Sequence, residues 1–146
     1  MSYWLLISLF VLHSGLVGCS KPDPSSETVA RTFFETWVRY TRDPDIWYQD
    51  KVFELVSKST QAQLQALADD YNRARPQGVP AMQPSQMLMA KRPRLGTQLK
   101  SVDITEQTDE QVVLTLSFKR GKDTLTLVRE DSGWKIDLPL PALRRP

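Results

Sequence analysis

The sequence predicts an α+β fold: three N-terminal helices packed on a curved four-stranded antiparallel meander, behind a short apolar leader. Three observations predict it. From Val29 to Tyr71 apolar residues recur at three- and four-residue spacing, the period of a helix with one buried stripe. From Leu99 to Leu138 the period changes to two, the signature of strands with one apolar face. Between them, Pro76–Gly96 is rich in proline and reads as a long connection. Helices with one apolar stripe and a sheet with one apolar face bury each other by stacking.

The elements follow in order. Ser25 or Ser26 can cap a first helix running from Glu27 to about Arg42, with Glu27 in the first turn where the helix dipole favours an acid. Val29, Ala30, Phe33, Phe34, Trp37 and Val38 form its apolar face, and Arg31, Glu35 and Arg39 its polar one. Asp43-Pro44-Asp45 ends that helix and starts a second, with Asp43 as cap and Pro44 in the first helical position. Tyr48, Val52, Leu55 and Val56 would face inward, widened by Trp47 and Phe53. Thr60 and Gln63 have capping-box spacing for a third helix with Leu64, Leu67, Ala68 and Tyr71 inward. Arg75-Pro76-Gln77-Gly78 ends it. Pro84–Ala90 can form one short helix capped by Ser85, and Met82, Met87 and Met89 either plug the core or present a contact surface.

Four strands then alternate. Val102 and Ile104 mark the first, and Val112, Leu114, Leu116 and Phe118 the second. Leu125 and Leu127 mark the third, and Trp134, Ile136 and Leu138 the fourth. Thr108-Asp109-Glu110, Arg120-Gly121-Lys122 and Asp131-Ser132-Gly133 are the hairpin breaks. Asp103 and Asp137 alternate with apolar neighbours and should face away from the core.

The N-terminus differs in kind. Tyr3–Leu12 (YWLLISLFVL) is a short apolar run, about half the ~20 residues that span a bilayer, and suits a signal-peptide hydrophobic region. The two residues before it carry no Lys or Arg, so any positive end rests on the terminal amine. Leu16-Val17-Gly18-Cys19 follows, then Ser20-Lys21-Pro22-Asp23-Pro24. This order resembles the lipobox of bacterial lipoproteins. The resemblance implies a leader over residues 1–18, a lipid on Cys19, and a tether over residues 19–26. The helical and alternating patterns behind it place one α+β domain over 27–138, ended by Pro139 and Pro141, with a Pro/Arg tail over 139–146. Two or more acyl chains hold a protein on a bilayer where one does not. Ser20 rather than Asp after the cysteine resembles outer-membrane lipoproteins, and implies a bacterial envelope protein facing the periplasm.

Composition narrows the chemistry. The 146 residues carry 19 basic and 17 acidic side chains, a formal +2, too near neutrality to mark a nucleic-acid binder. The one histidine, His13, lies in the expected leader, and the one cysteine is taken by the lipid. The domain therefore lacks the commonest general base and zinc ligand, and any Ser-His or Cys-His pair. No glycine-rich phosphate loop occurs. No metal or cofactor is expected. Lys91-Arg92-Pro93-Arg94 and Arg144-Arg145 are small basic clusters, read as solvated faces or as contacts to an anionic surface.

SSETVARTFFETWVRYTRD, VFELVSKST and LVREDSGWKIDLP resemble the nuclear-transport-factor-2-like superfamily, in which helices fill the concave side of a curved sheet to form a cone. That superfamily holds both enzymes and non-enzymatic modules, so fold does not settle function. The expected function is a lipid-anchored binding or assembly module for an envelope protein or a small apolar ligand. The first alternative is an isomerase- or hydrolase-like enzyme with a carboxylate–tyrosine pair drawn from Tyr40, Asp45, Tyr48 and Asp50. Such a carboxylate needs its pKa raised by burial to work near neutral pH. The plainer roles are core-edge tyrosines and capping or solvated aspartates. The second alternative is a purely structural envelope subunit.

Overall fold

In the computed structural model, which describes residues 23–90 and 98–140, helices come first and strands second. Helix α1 spans Ser26–Arg42, α2 Ile46–Leu55, α3 Lys58–Ala74 and α4 Pro84–Ala90. Strands β1 Leu99–Gln107, β2 Gln111–Phe118, β3 Gly121–Glu130 and β4 Gly133–Asp137 form one antiparallel sheet in chain order. The α+β class and the four-stranded meander are as expected, and the short helix in the connection is present.

Local chemistry starts each helix, and in three places it is not the residue expected. Ser25 caps α1, its Oγ accepting from the Thr28 amide at 3.3 Å. Asp45, not Asp43, caps α2; its Oδ1 accepts from the Trp47 amide at 2.8 Å, and Pro44 lies outside the helix. Asp43 instead ends α1, its amide donating to the Arg39 carbonyl. Ser57, not Thr60, caps α3, and Thr60 lies in the first turn, donating its amide to Ser57 Oγ at 3.0 Å. Helix α4 begins at Pro84, a position where a missing amide costs nothing. The Gln86 side chain accepts from the Gln83 amide just before it, and Ser85 turns inward rather than capping.

One core lies between the layers. Helix α1 contributes Val29, Ala30, Phe33, Phe34 and Trp37, with Phe34 tilted on Phe118 at 5.3 Å between centroids. Val52 and Val56, Leu64, Leu67 and Ala68, and Met87 and Leu88 come from the other helical segments. The sheet adds Val112, Leu114, Leu116, Phe118, Leu125, Leu127 and Ile136. Each large side chain so buried contributes about 1.5–3 kcal/mol relative to exposure. Met87 and Met82 pack into this core, the plugging role expected of them. Leu138 and Leu140 also pack here, so the body extends past residue 138. Helix α1 packs on α2, β1 and β4; α4 bridges α2 and α3.

Three apolar residues expected inside are not. Trp47 is 56% exposed, Ile104 41% and Tyr71 39%. Trp47 is the second residue of α2, in the exposed first turn that Asp45 caps. Ile104 sits where the β1–β2 register shifts between Ile104 and Glu106. Both tight hairpins depend on glycine: Gly121 and Gly133 have φ of +122° and +99°, while no non-glycine described residue has positive φ. Neither hairpin therefore uses a primed turn; the glycine after the two-residue turn supplies the left-handed step.

Candidate functional site

The four sequence candidates lie on α1 and α2 but do not converge. Tyr40 is half-buried on α1 and packs against the core edge. Tyr48 is half-buried on α2, with Trp47 edge-on to its ring at 5.0 Å. Asp45 and Asp50 are both exposed, and Asp45 is committed to capping α2. No hydrogen bond joins either carboxylate to a tyrosine among the described residues. Cys19, the basic cluster 91–94, and Arg144 and Arg145 lie outside the described residues.

The most highly connected polar group is one the sequence reasoning missed. Ser57 Oγ donates to Asp137 Oδ1 at 2.6 Å and lies 3.0 Å from Thr60 Oγ1. Thr60 Oγ1 also donates to Asp137 Oδ1 at 3.3 Å and accepts from the Leu138 amide at 3.0 Å. The Ser57 amide donates to the Ile136 carbonyl at 2.7 Å, extending the parallel bridge between Val56 and Ile136. Ser57 and Thr60 are fully buried. A serine bonded to a carboxylate invites a catalytic interpretation, but here the hydroxyl is fully buried and, among the described residues, no imidazole stands by to take its proton. It is a clip that fastens the start of α3 to the end of β4. The available signal was Ser57-Lys58-Ser59-Thr60, a hydroxyl three residues before another at a helix start.

Two more ties lock the helical layer. Gln49 is buried on α2, and its Nε2 donates to Ser85 Oγ at 2.7 Å. The Asn72 amide pairs with Met82 in both directions, at 2.9 and 2.7 Å, and so pins the connection against α3. Among the described residues, no buried side-chain polar atom lacks a partner.

Three surface features remain. Ile46 and Trp47, 69% and 56% exposed, stand side by side at the start of α2, with the Lys51 ammonium 6.0 Å from the indole. An open depression of about 610 Å³ lies at one end of the sheet, lined by Glu110, Gln111, Val128, Arg129, Glu130 and Asp131. Beside it, Arg129 bonds Asp23 at 3.0 Å and lies 5.3 Å from the Trp134 ring centroid. Glu27 is held below its ordinary 4.5, chiefly by a hydrogen bond from its own backbone amide, with smaller help from Ser25, Ser26 and Arg31 against partial desolvation.

Among the described residues no cluster of three His, Cys, Asp or Glu side chains is placed to hold a metal ion. No described helix is long and apolar enough to cross a membrane. No family model, curated protein or solved structure matches the chain.

Proposed function

We propose that this chain is a lipid-anchored bacterial envelope protein whose domain is a non-enzymatic binding or assembly module. Residues 1–18 are the leader, Cys19 carries the lipid, and the domain sits on the periplasmic side of the outer membrane. The observation that carries the proposal is Leu16-Val17-Gly18-Cys19 after the apolar run Tyr3–Leu12. It is supported by where the body begins: Asp23 already bonds Arg129, so folded structure starts four residues after the cysteine. A chain built this way keeps its domain beside the lipid.

The cone shape belongs to the same proposal. It is supported by α1 packing on both edge strands, β1 and β4, at once, as a sheet curled around the helix allows. The module role is supported by the employment of the reactive groups. Asp45 caps a helix, and Ser57 and Thr60 hold Asp137. Ile46 and Trp47 offer a protein partner two adjacent apolar side chains; an aromatic anchor of this kind commonly dominates an interface.

Fractionation of cells expressing the full chain tests the anchor. The wild-type protein is expected in the membrane fraction, and Cys19→Ser should move it to the aqueous one. Wild-type protein found wholly in the aqueous fraction contradicts the proposal.

A further inference from the structure

We propose that the β3–β4 hairpin is a docking surface for the chain's own N-terminal tether, and that this contact sets which side of the domain faces the bilayer. The docking stands on its own geometry; the orientation rests on the lipid-anchor reading above.

Asp23 precedes α1 and belongs by sequence to the tether, yet it is ion-paired to the sheet. Arg129 Nη2 donates to Asp23 Oδ2 at 3.0 Å. The same guanidinium lies over Trp134, which is its cross-strand partner in the β3–β4 register. The Arg129 backbone is fixed as well, its amide donating to the Glu110 carbonyl at 2.7 Å. Asp23 also passes close to the β3–β4 turn: a Cβ built on Gly133 would meet Asp23 Cγ at 3.7 Å, an ordinary van der Waals distance. The carboxylates around Arg129 do not compete for it in these contacts. Glu130 accepts from the Lys58 amide at 2.7 Å, and Asp131 lies 3.7 Å from Lys58 Nζ. Among the described residues Arg129 is the one cation lining the adjacent depression, and Glu110 is its remaining acid. Pro22 and Pro24 flank Asp23 and restrict the unbound tether, which lowers the entropy lost on docking.

Docking shortens the leash. Only Ser20, Lys21 and Pro22 separate Cys19 from Asp23, a reach of at most about 14 Å, against about 25 Å to the start of α1 for an undocked tether. The hairpin side of the domain is then held next to the lipid. Helix α2 ends on that side, where Lys135 Nζ donates to the Glu54 carbonyl at 2.7 Å. Ile46 and Trp47 lie at its other end, about 12 Å further along the axis, and are carried away from the hairpin.

Two readouts on the full-length chain test this. Hydrogen exchange across residues 20–26 should rise about threefold to fivefold in Arg129→Ala, the scale of an exposed ion pair, with β2 and α3 unchanged. Asp23→Arg combined with Arg129→Asp should restore at least half of the protection. Identical exchange in wild type and Arg129→Ala overturns the docking. For orientation, a thiol-reactive fluorophore is placed at Ser132→Cys or at Thr41→Cys, both exposed positions, in the lipidated protein on phosphatidylethanolamine–phosphatidylglycerol vesicles. Nitroxide-labelled lipid should quench the Ser132→Cys label at least twofold more, and Arg129→Ala should erase the difference. Equal quenching in the lipidated protein, or a difference that survives Arg129→Ala, overturns the orientation. A mass showing unmodified Cys19 removes the orientation together with the anchor, and the exchange result then decides the docking alone.

Discussion

The two edges of the sheet are finished in opposite ways. Strand β4 is closed: Val56 bridges Ile136, the Ser57 amide takes the Ile136 carbonyl, and Ser57 and Thr60 hold Asp137. Strand β1 has no partner along its outer side among the described residues and is mostly exposed. Two register shifts interrupt its pairing with β2, and Lys100, Asp103 and Glu106 stud its surface. An unpaired edge invites another chain, and irregularity and charge are the ordinary defences against that. The comparison separates two ways of ending a sheet. At β4 a helix corner supplies the missing partners and adds stability. At β1 the strand is made a poor template and adds little.

The sharpest break of that contrast is a matched pair of truncations. Ile136→Ala, at a fully buried β4 position, should cost about 2–5 kcal/mol. Ile104→Ala, on β1, should cost under about 1 kcal/mol. Denaturant titration reads both, and equal losses would erase the distinction between the edges. Thr60→Val comes next. It leaves the Leu138 amide without its acceptor and removes one donor from Asp137, a loss of about 1–3 kcal/mol in the same titration.

These edges also show what the sequence made legible. Alternation located all four strands, since each keeps one apolar face, and the helical stripes located α1 and α3. Alternation says nothing about what lies beyond an edge, so it places Ile104 in the core, although among the described residues no partner strand lies beyond β1. The caps went wrong where two hydroxyls or two acids compete. Asp43 and Asp45 both flank Pro44; Asp43 is taken up in closing α1, and Asp45 caps α2. Thr60 fits a capping box with Gln63, but its burial against Asp137 gives the cap to Ser57. That network joins residues some eighty positions apart, a link no local pattern carries. The candidates Tyr40, Asp45, Tyr48 and Asp50 came from residue type and neighbourhood alone, and the fold leaves both acids in solvent.

Smaller effects refine the picture. Glu106→Val with Lys100→Val should remove the charged guard on β1 and produce concentration-dependent association in sedimentation velocity, while the wild-type edge stays unpaired. On the inner strand β3, Arg129→Ala should cost under about 1 kcal/mol, because its pair with Asp23 is solvent-exposed. The smallest effect is pH-linked. Glu27 titrates below its ordinary value in the folded chain, so its contribution is complete above about pH 5 and is lost as pH falls through the folded pKa. Thermal melts from pH 6 to pH 3 should show Glu27→Gln losing slightly less stability than wild type over that interval.

The covered edge is also the side where the tether lands, and the functional account begins from that attachment. Intact mass spectrometry of the membrane-extracted protein tests it most directly. The account predicts a chain that starts at Cys19 and is heavier than its sequence by a diacylglycerol and an amide-linked acyl group. A mass matching an unmodified cysteine, in a chain that keeps residues 1–18, would contradict it.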